Sequence, residues 1–306
     1  MDADSTFALA LEAQARGHAL FHYLAPALTL RGGRLYAKGR KLEVFRRYGD
    51  HHRFGDEEEL DLAGLDVVLM RQDPPFDMAN STATHLLEML PTRGTHVVND
   101  TDSAPNAPKK LFVQQFKDLM PPTLLSLDRN EIKAFWDEHK EIVLKPLFGN
   151  GGAGIVHLRP GDDNLSSLLE MYQQMYREPV MVQCYIPEVR NGDKRIVLID
   201  GEPAGGVLRV PAEGEARANL HVGGRGMKTE LTSRELEICA AIGPTLKEQG
   251  LLFVGIDVIG DYITEINVTS PTGIQEIGRL NNDNLAAKIW DAIEAKIGGR
   301  AERRPA

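Results

Sequence analysis

In the stretch GIDVIGDYITEINVTSP, residues 255–271, Glu265 and Asn267 stand two apart in a run otherwise built of Ile, Val and Thr. Side chains alternate across a β-strand, so residues two apart share a face. Oxygen donors on one face suit Mg²⁺, a hard ion that takes one or two carboxylates, keeps several waters and binds phosphate oxygens. Asp257 joins them if it pairs across from Glu265. That pairing requires an odd-length hairpin loop such as Gly260-Asp261-Tyr262; a strict two-residue Gly-Asp turn puts Asp257 on the opposite face.

A second group of chemistry-bearing residues is KPLFGNGGAG, Lys145 to Gly154. Gly149, Gly151 and Gly154 satisfy G-x-G-x-x-G, but the segment that follows, GIVHLRP, reads as a strand, whereas a dinucleotide loop opens a helix. A Walker A loop is also excluded, because the lysine precedes the glycines. What remains is a glycine loop, including Gly152, between two antiparallel strands with a lysine on the incoming one. Protein kinases cover ATP phosphates with that arrangement. The same pattern also describes a purely structural turn with a solvent-facing lysine. Two further segments carry charge in useful places. ARANLHVGGRGMK, downstream of Arg209, spaces arginines through a glycine-rich stretch and reads either as a lid over anionic ligands, with Arg217 to Gly226 as the closing piece, or equally as a plain surface loop. MRQDPPFD follows a buried strand, where α/β folds bind ligands, so Arg71 and Asp73 either hold a substrate carboxylate and amine there or form a surface ion pair at an ordinary Pro-Pro turn.

The elements that must position these residues can be read from periodicity. STFALALEAQARG predicts a helix with Ser5 or Thr6 near its N-cap and Gly17 at its stop. A strand in HALFHYL follows, then LTLRGGRLYAKGRKLEVF, which alternates around two glycine turns. Strand 66–71, helix 78–90 and strand 95–99 form a βαβ unit, hence a parallel sheet. DTDSAPNAPKK, 100–110, breaks the periodicity and marks a boundary. Beyond it, the strands EIVLKP, GIVHLRP, VMVQCYI, KRIVLID, VLRVP, LFVGIDVIG and YITEINV often follow one another directly, which implies antiparallel sheets. Helices are predicted near 130–139, 163–175, 233–248 and 284–297, and GGRAERRPA reads as a frayed basic tail. The fold class is thus α/β, then α+β.

Composition sets limits on partners. The 306 residues carry 35 Lys and Arg against 44 Asp and Glu, a net charge of −9, which argues against a nucleic-acid partner. No apolar run approaches the ~18 residues of a membrane span, and the N-terminus shows no signal-peptide pattern, so a cytoplasmic enzyme is expected. Cys184 and Cys239 lie in apolar segments and read as buried reduced thiols. HExxH, CxxC and GxSxG are absent, which removes zincin, zinc-ribbon and α/β-hydrolase readings.

With these pieces in order, the chain resembles prokaryotic-type glutathione synthetase, an ATP-grasp ligase. The matching stretches are DSTFALALEAQARGH, VVLMRQDPPFD, KKLF, VLKPLFGNGGAGI, GDKRIVLIDGEP, RANLHVGGRG, IGPTLKE and FVGIDVIGDYITEINVTSPTGIQEI. The resemblance implies an N-terminal α/β domain, 1–107, and an ATP-grasp fold of two α+β subdomains, 108–185 and 186–306. It implies that Lys110 and Lys145 contact ATP phosphates beneath the Gly149 to Gly154 loop, and that adenine meets the backbone of Gln183, Cys184, Tyr185 and Ile186. Asp193 would reach the ribose, and Arg195 and Arg209 the γ-phosphate or an acyl phosphate. Asp257, Glu265 and Asn267 would hold Mg²⁺, or Mn²⁺. Arg71, Asp73, Asn219, Arg225, Ser270, Pro271 and Thr272 would surround the dipeptide, with Arg225 also acting on the reacting groups. The implied reaction joins γ-glutamylcysteine and glycine through an acyl phosphate, in a homo-oligomer that is a tetramer in the family. The family normally opens with a strand before DSTFAL, whereas this sequence starts almost at that helix; a misassigned start is the expected reason, and a real truncation would leave unpaired edges beside DVVLMR or its neighbours. A different ATP-grasp peptide ligase would share Lys145, Glu265 and Asn267 but lack MRQDPPFD and TSPTG; a non-catalytic ATP-binding protein would have lost the Glu265/Asn267 pair or the arginines.

Overall fold

The computed structural model describes residues 1–73, 77–91, 94–100, 109–149, 151–212 and 224–301. Helix α1 (Ser5–Ala15) is capped by Asp4, whose carboxylate accepts from the backbone N–H groups of Thr6 and Phe7. The cap thus sits one residue before the Ser5 or Thr6 expected, because Asp4 alone has the extended backbone that aims its side chain at the free N–H groups. Strands β1 (Leu20–His22), β2 (Leu28–Arg31), β3 (Arg34–Val44) and β4 (His52–Asp61) form an antiparallel sheet in which β3 pairs with the other three. Gly32 and Gly33, both at positive φ, turn the chain between β2 and β3. Gly39, in contrast, lies inside β3, where a Cβ would collide with the His22 carbonyl oxygen, so the second glycine turn expected there is a close approach of strands. Strand β4 is not among the elements expected from periodicity, because it is an edge strand exposed over most of its length and carries no apolar alternation.

Strand β5 (Val67–Leu69), helix α2 (Met78–Glu88) and strand β6 (His96–Val98) make the expected βαβ unit, with β5 and β6 parallel. The proline-rich boundary lies largely in 101–108, outside the described residues. Helix α3 (Lys109–Phe112) continues into a 3-10 segment, Val113–Leu119. Next come β7 (Thr123–Ser126), α4 (Arg129–His139), β8 (Ile142–Pro146), β9 (Val156–Leu158), α5 (Leu165–Met175) and β10 (Val180–Cys184). They form an antiparallel sheet in the order β7-β10-β8-β9, with a core in which Ile132 of α4 and Leu165 and Leu169 of α5 meet Ile142, Leu144, Leu158 and Val182.

The last unit holds β11 (Asp193–Ile199), β12 (Glu202–Val210), β13 (Arg225–Lys228), α6 (Ser233–Glu248), β14 (Phe253–Ile259), β15 (Tyr262–Asn267), α7 (Ile274–Asn281) and α8 (Leu285–Ala301). Its five strands are antiparallel in the order β13-β12-β11-β14-β15. Alternation sorts β11 and β14. Ile196, Leu198, Val254, Ile256 and Val258 pack with Ile238 and Ile242 of α6, and with Phe112 and Val113, so 109–113 belongs by packing to this core. The other face carries Val197, Ile199 and Phe253, packed with Leu9 of α1, Ile277 of α7 and Trp290 of α8. Each such buried side chain contributes roughly 1.5–3 kcal/mol. Further along that face the apolar residues give way to Asp193, Arg195 and Asp257. Helix α8 runs through Gly298 and Gly299 to Ala301, so the first part of the supposed tail is helical. No helix among the described residues is long and apolar enough to cross a membrane.

Candidate active site

The registers of β11, β14 and β15 place Arg195 opposite Asp257 and Asp257 opposite Glu265, with Gly255 opposite Asn267. The expected convergence of Asp257, Glu265 and Asn267 is therefore present, but the odd-length loop is not. Ile259 pairs with Tyr262, so the turn is the two-residue Gly260-Asp261, and a β-bulge at Thr264 supplies the odd residue instead. Thr264 Oγ1 donates to the Asp257 carbonyl, 3.2 Å, which pins the bulge. Gly255 leaves room for the Arg195 side chain; a Cβ there would stand 3.3 Å from Arg195 Cδ.

Asp257 is the hub. Arg195 Nε and Nη2 donate to its two oxygens at 2.5 and 2.9 Å, Arg209 Nη2 lies 2.9 Å from Oδ1, and Asn267 Nδ2 approaches Oδ2 at 3.5 Å. Arg209 also forms a bidentate pair with Asp193, at 2.6 and 2.7 Å. Burial pushes the Asp257 carboxyl up, but Arg195 and Arg209 outweigh it and hold it well below the usual carboxylate range. Asp193 is raised, by burial first and by the neighbouring Asp257 charge, with Arg209 opposing. Burial lowers Arg209 while Asp257 and Asp193 raise it further, so it stays charged.

Two ammonium groups face this cluster. Lys110, buried at the start of α3, donates to the carbonyls of Gly149 and Leu147 at 3.0 and 3.4 Å and lies 3.8 Å from Glu265 Oε1. Lys145 on β8 donates to Gln183 Oε1 at 2.6 Å, and Gln183 in turn donates to Thr123 Oγ1 at 3.1 Å. Desolvation pulls the Lys145 ammonium down to about 8, opposed by Glu265 and reinforced by Lys110. Four cations thus stand against Asp193, Asp257 and Glu265, a surplus of positive charge suited to a polyanion. All seven line one cavity of about 2270 Å³, which also takes in Gly149, Gly151, Gly152, Gln183, Cys184, Tyr185, Ile186 and Asn267. Cys184, read as buried, is half-buried on its wall; Cys239 is buried.

The same cavity reaches the N-terminal domain. Arg71, beyond β5, donates from Nε to Thr6 Oγ1 at 3.1 Å and from Nη2 to the Pro271 carbonyl at 2.9 Å, while Ser270 Oγ donates to the Gln72 carbonyl at 2.8 Å. Arg71 Nη1 and Gln72 Oε1 have no hydrogen-bond partner among the described residues, and orphaned polar atoms of this kind cost roughly 1–3 kcal/mol each. Desolvation lowers Arg71 to about 10, with Asp4 and Asp73 opposing, so it is a cation at neutral pH. Asp73, Ser270, Pro271 and Thr272 line the cavity as well. So does the edge of β5 at Val67 and Leu69.

Two expected residues are not brought to this wall. Arg225 is an exposed residue of β13 paired with Val210, so the described part of the expected lid is an edge strand. Gly154 is absent from the lining; at φ +70 it turns the loop, and its carbonyl accepts from the Tyr172 hydroxyl. Asn219 and Arg217 lie outside the described residues. Residues that sequence reading missed include Gln72, Thr123 and the bulge residue Thr264. Gln72 sits between the two residues singled out in MRQDPPFD, and its position was the available signal.

For a metal ion, the donor set is short. Among the described residues no group of three His, Cys, Asp or Glu forms a cage. Two carboxylates and an amide on one face fit a hard ion that fills its remaining positions with waters and phosphate oxygens.

Comparison with known proteins now decides the family. Residues 1–104 match the model of the prokaryotic glutathione synthetase N-terminal domain, and 109–282 match its ATP-grasp domain. The chain belongs to the prokaryotic glutathione synthetase family. It is 56% identical over 293 residues to the glutathione synthetase of Mesorhizobium japonicum, covering 96% of this chain and 93% of that one. The Brucella melitensis glutathione synthetase is 57% identical, at 96% and 94% coverage, and an Escherichia coli one 46% over 296 residues, at 96% and 93%. Among solved structures, the ATP-grasp ligase PsnB superposes with a TM-score of 0.65 at 17% identity over 94% of each chain. A RimK-domain ATP-grasp protein from Sphaerobacter thermophilus gives 0.61 at 18% over 93% of each. The fold is therefore ATP-grasp, and membership of the glutathione synthetase family implies the use of ATP together with a metal ion.

Proposed function

We propose that this chain joins γ-glutamylcysteine to glycine at the expense of ATP, giving glutathione, ADP and phosphate. The observation that supports this reading best is that the Arg195–Asp257–Glu265 row, both lysines and Arg71 line a single cavity. The cysteinyl carboxylate attacks the γ-phosphorus and ADP leaves, forming an acyl phosphate. The glycine amine then adds to the acyl carbon, and phosphate departs from the tetrahedral intermediate. Chain residues supply positioning and charge, which is most of what phosphoryl transfer requires. Lys110 and Lys145 hold the ATP phosphates under Gly149 to Gly154, with the base at Gln183 to Ile186 and the ribose at Asp193. Arg195 and Arg209 neutralise the transferred group. Arg71, with its unpartnered Nη1, takes a substrate carboxylate, aided by Asp73 and by Ser270, Pro271 and Thr272. Asp257, Glu265 and Asn267 would hold Mg²⁺, which Mn²⁺ can replace, and the ion would neutralise phosphate charge. The working form is a cytoplasmic tetramer with domains 1–107, 108–185 and 186–306, of which 109–113 pack with the third.

Release of ADP, assayed with each substrate omitted in turn, tests the reaction. It should require both γ-glutamylcysteine and glycine for sustained turnover. Glu265→Ala should lower kcat by at least ~10²-fold with an unchanged circular dichroism spectrum; full activity in this variant would remove Glu265 from the metal site.

A further inference from the structure

We infer that His157 is a positioning residue that fixes the nucleotide hinge through Tyr185, and so sets ATP affinity; the inference rests on the reaction just proposed. Thr123, Gln183, Val143 and His157 form one row across β7, β10, β8 and β9, opposite one another in successive registers. Lys145 lies two residues beyond Val143 on β8 and so shares its face, and Val143, Lys145, His157, Gln183 and Tyr185 all line the cavity. Lys145 bonds the first hinge residue, Gln183, at 2.6 Å, and Tyr185 stands on the Glu141 side of β8, two residues further on.

At the hinge end Tyr185 is held at three points. Its backbone N–H donates to the Glu141 carbonyl at 2.9 Å, its hydroxyl accepts from Arg190 Nε at 3.1 Å, and its ring stacks on the His157 imidazole with centroids 4.1 Å apart and planes 15° from parallel. The imidazole is fixed in turn, because Nε2 donates to Glu141 Oε1 at 2.8 Å. Glu141 thus holds Tyr185 directly through its carbonyl and indirectly through its carboxylate. His157 and Tyr185 both line the cavity beside Gln183, Cys184 and Ile186, where the proposed reaction puts the base. Without the imidazole, the Tyr185 ring loses the flat surface that sets its plane, and the hinge must be ordered by the nucleotide itself.

The test uses the full-length protein. His157→Ala should raise the ATP KM and the ADP Kd by about tenfold, while kcat at saturating ATP and the KM values for dipeptide and glycine stay within about twofold. His157→Phe keeps a ring against Tyr185 without the hydrogen bond and should restore most of the affinity. An ADP Kd within about twofold of wild type in the alanine variant overturns the inference. So does an equal loss in kcat and in every KM together with a lowered melting temperature, which would mark a merely structural pair. Wild-type protein that binds ADP but forms no glutathione overturns the ligase reading alone, and the ADP comparison still decides His157.

Discussion

Lys145 shows how one side chain can tie activity to pH. Its ammonium is desolvated to a pKa of about 8, so its charge is present below that pH and lost above it. The ATP KM should therefore climb as pH rises through about 8, and Lys145→Arg should flatten the climb, since a guanidinium stays charged. Kinetics from about pH 6.5 to 9.5 check this; a flat wild-type profile would take Lys145 out of phosphate binding. Stability has the opposite sign. Between about 8 and 10.5 the unfolded chain binds the proton more tightly than the folded one, so this residue makes folding more favourable as pH rises through that window. At this scale the sequence was legible for Lys145, Glu265 and Asn267, because residue type and spacing of two carry the information. It was silent on the guanidinium grip that Arg195 and Arg209 hold on Asp257, since those residues lie 62 and 48 positions away.

Among the elements, helix α6 is fixed at both a cap and a contact. Thr232 and Glu235 form a capping box, and Glu235 also accepts from Lys194 at 2.7 Å, a buried ion pair behind the site strand. Gly243 lies against Gly201, and a Cβ on Gly243 would collide with the Gly201 carbonyl oxygen. Gly243→Ala should therefore destabilise by about 1–3 kcal/mol, at roughly 2–4 °C of melting temperature per kcal/mol, with little change in KM at low temperature. Calorimetry that finds an unchanged melting temperature would show that the helix shifts to admit the methyl group. Elements with clear periodicity, such as β8, β11 and β14, were readable in advance. Strands β4, β7 and β13 and helix α7 were not, because an exposed edge strand without apolar alternation, a four-residue strand or a two-turn helix carries too little pattern to separate from a loop.

For the whole molecule, the cavity is walled by residues as distant as Arg71, Lys145 and Asp257, so ligand binding should couple all three units. Mg·ADP at a hundredfold excess over its Kd should stabilise the fold by about 2.7 kcal/mol, and the shift should shrink strongly in Lys145→Met or on chelating the metal. A thermal-shift series reads this directly; equal shifts with and without metal would separate nucleotide binding from Asp257 and Glu265. Asn99 adds a structural tie, since its amide bonds the backbone of Phe253 and the carbonyl of Val268, joining the end of β6 to β14 and to the chain beyond β15.

Sequence by itself determined which residues could do chemistry and on which local face each would stand, because the period-two alternation of a strand is a local property. It could not determine register. Whether Asp257 meets Glu265 depends on the turn and on one extra residue, and both an odd loop and a bulge satisfy the same alternation; packing of Ile263 and Ile266 against α6 together with the Thr264 bond fixed the choice. Bringing Arg71 within reach of Pro271 is likewise a long-range event, decided only when α1, α7 and α8 closed over the sheet.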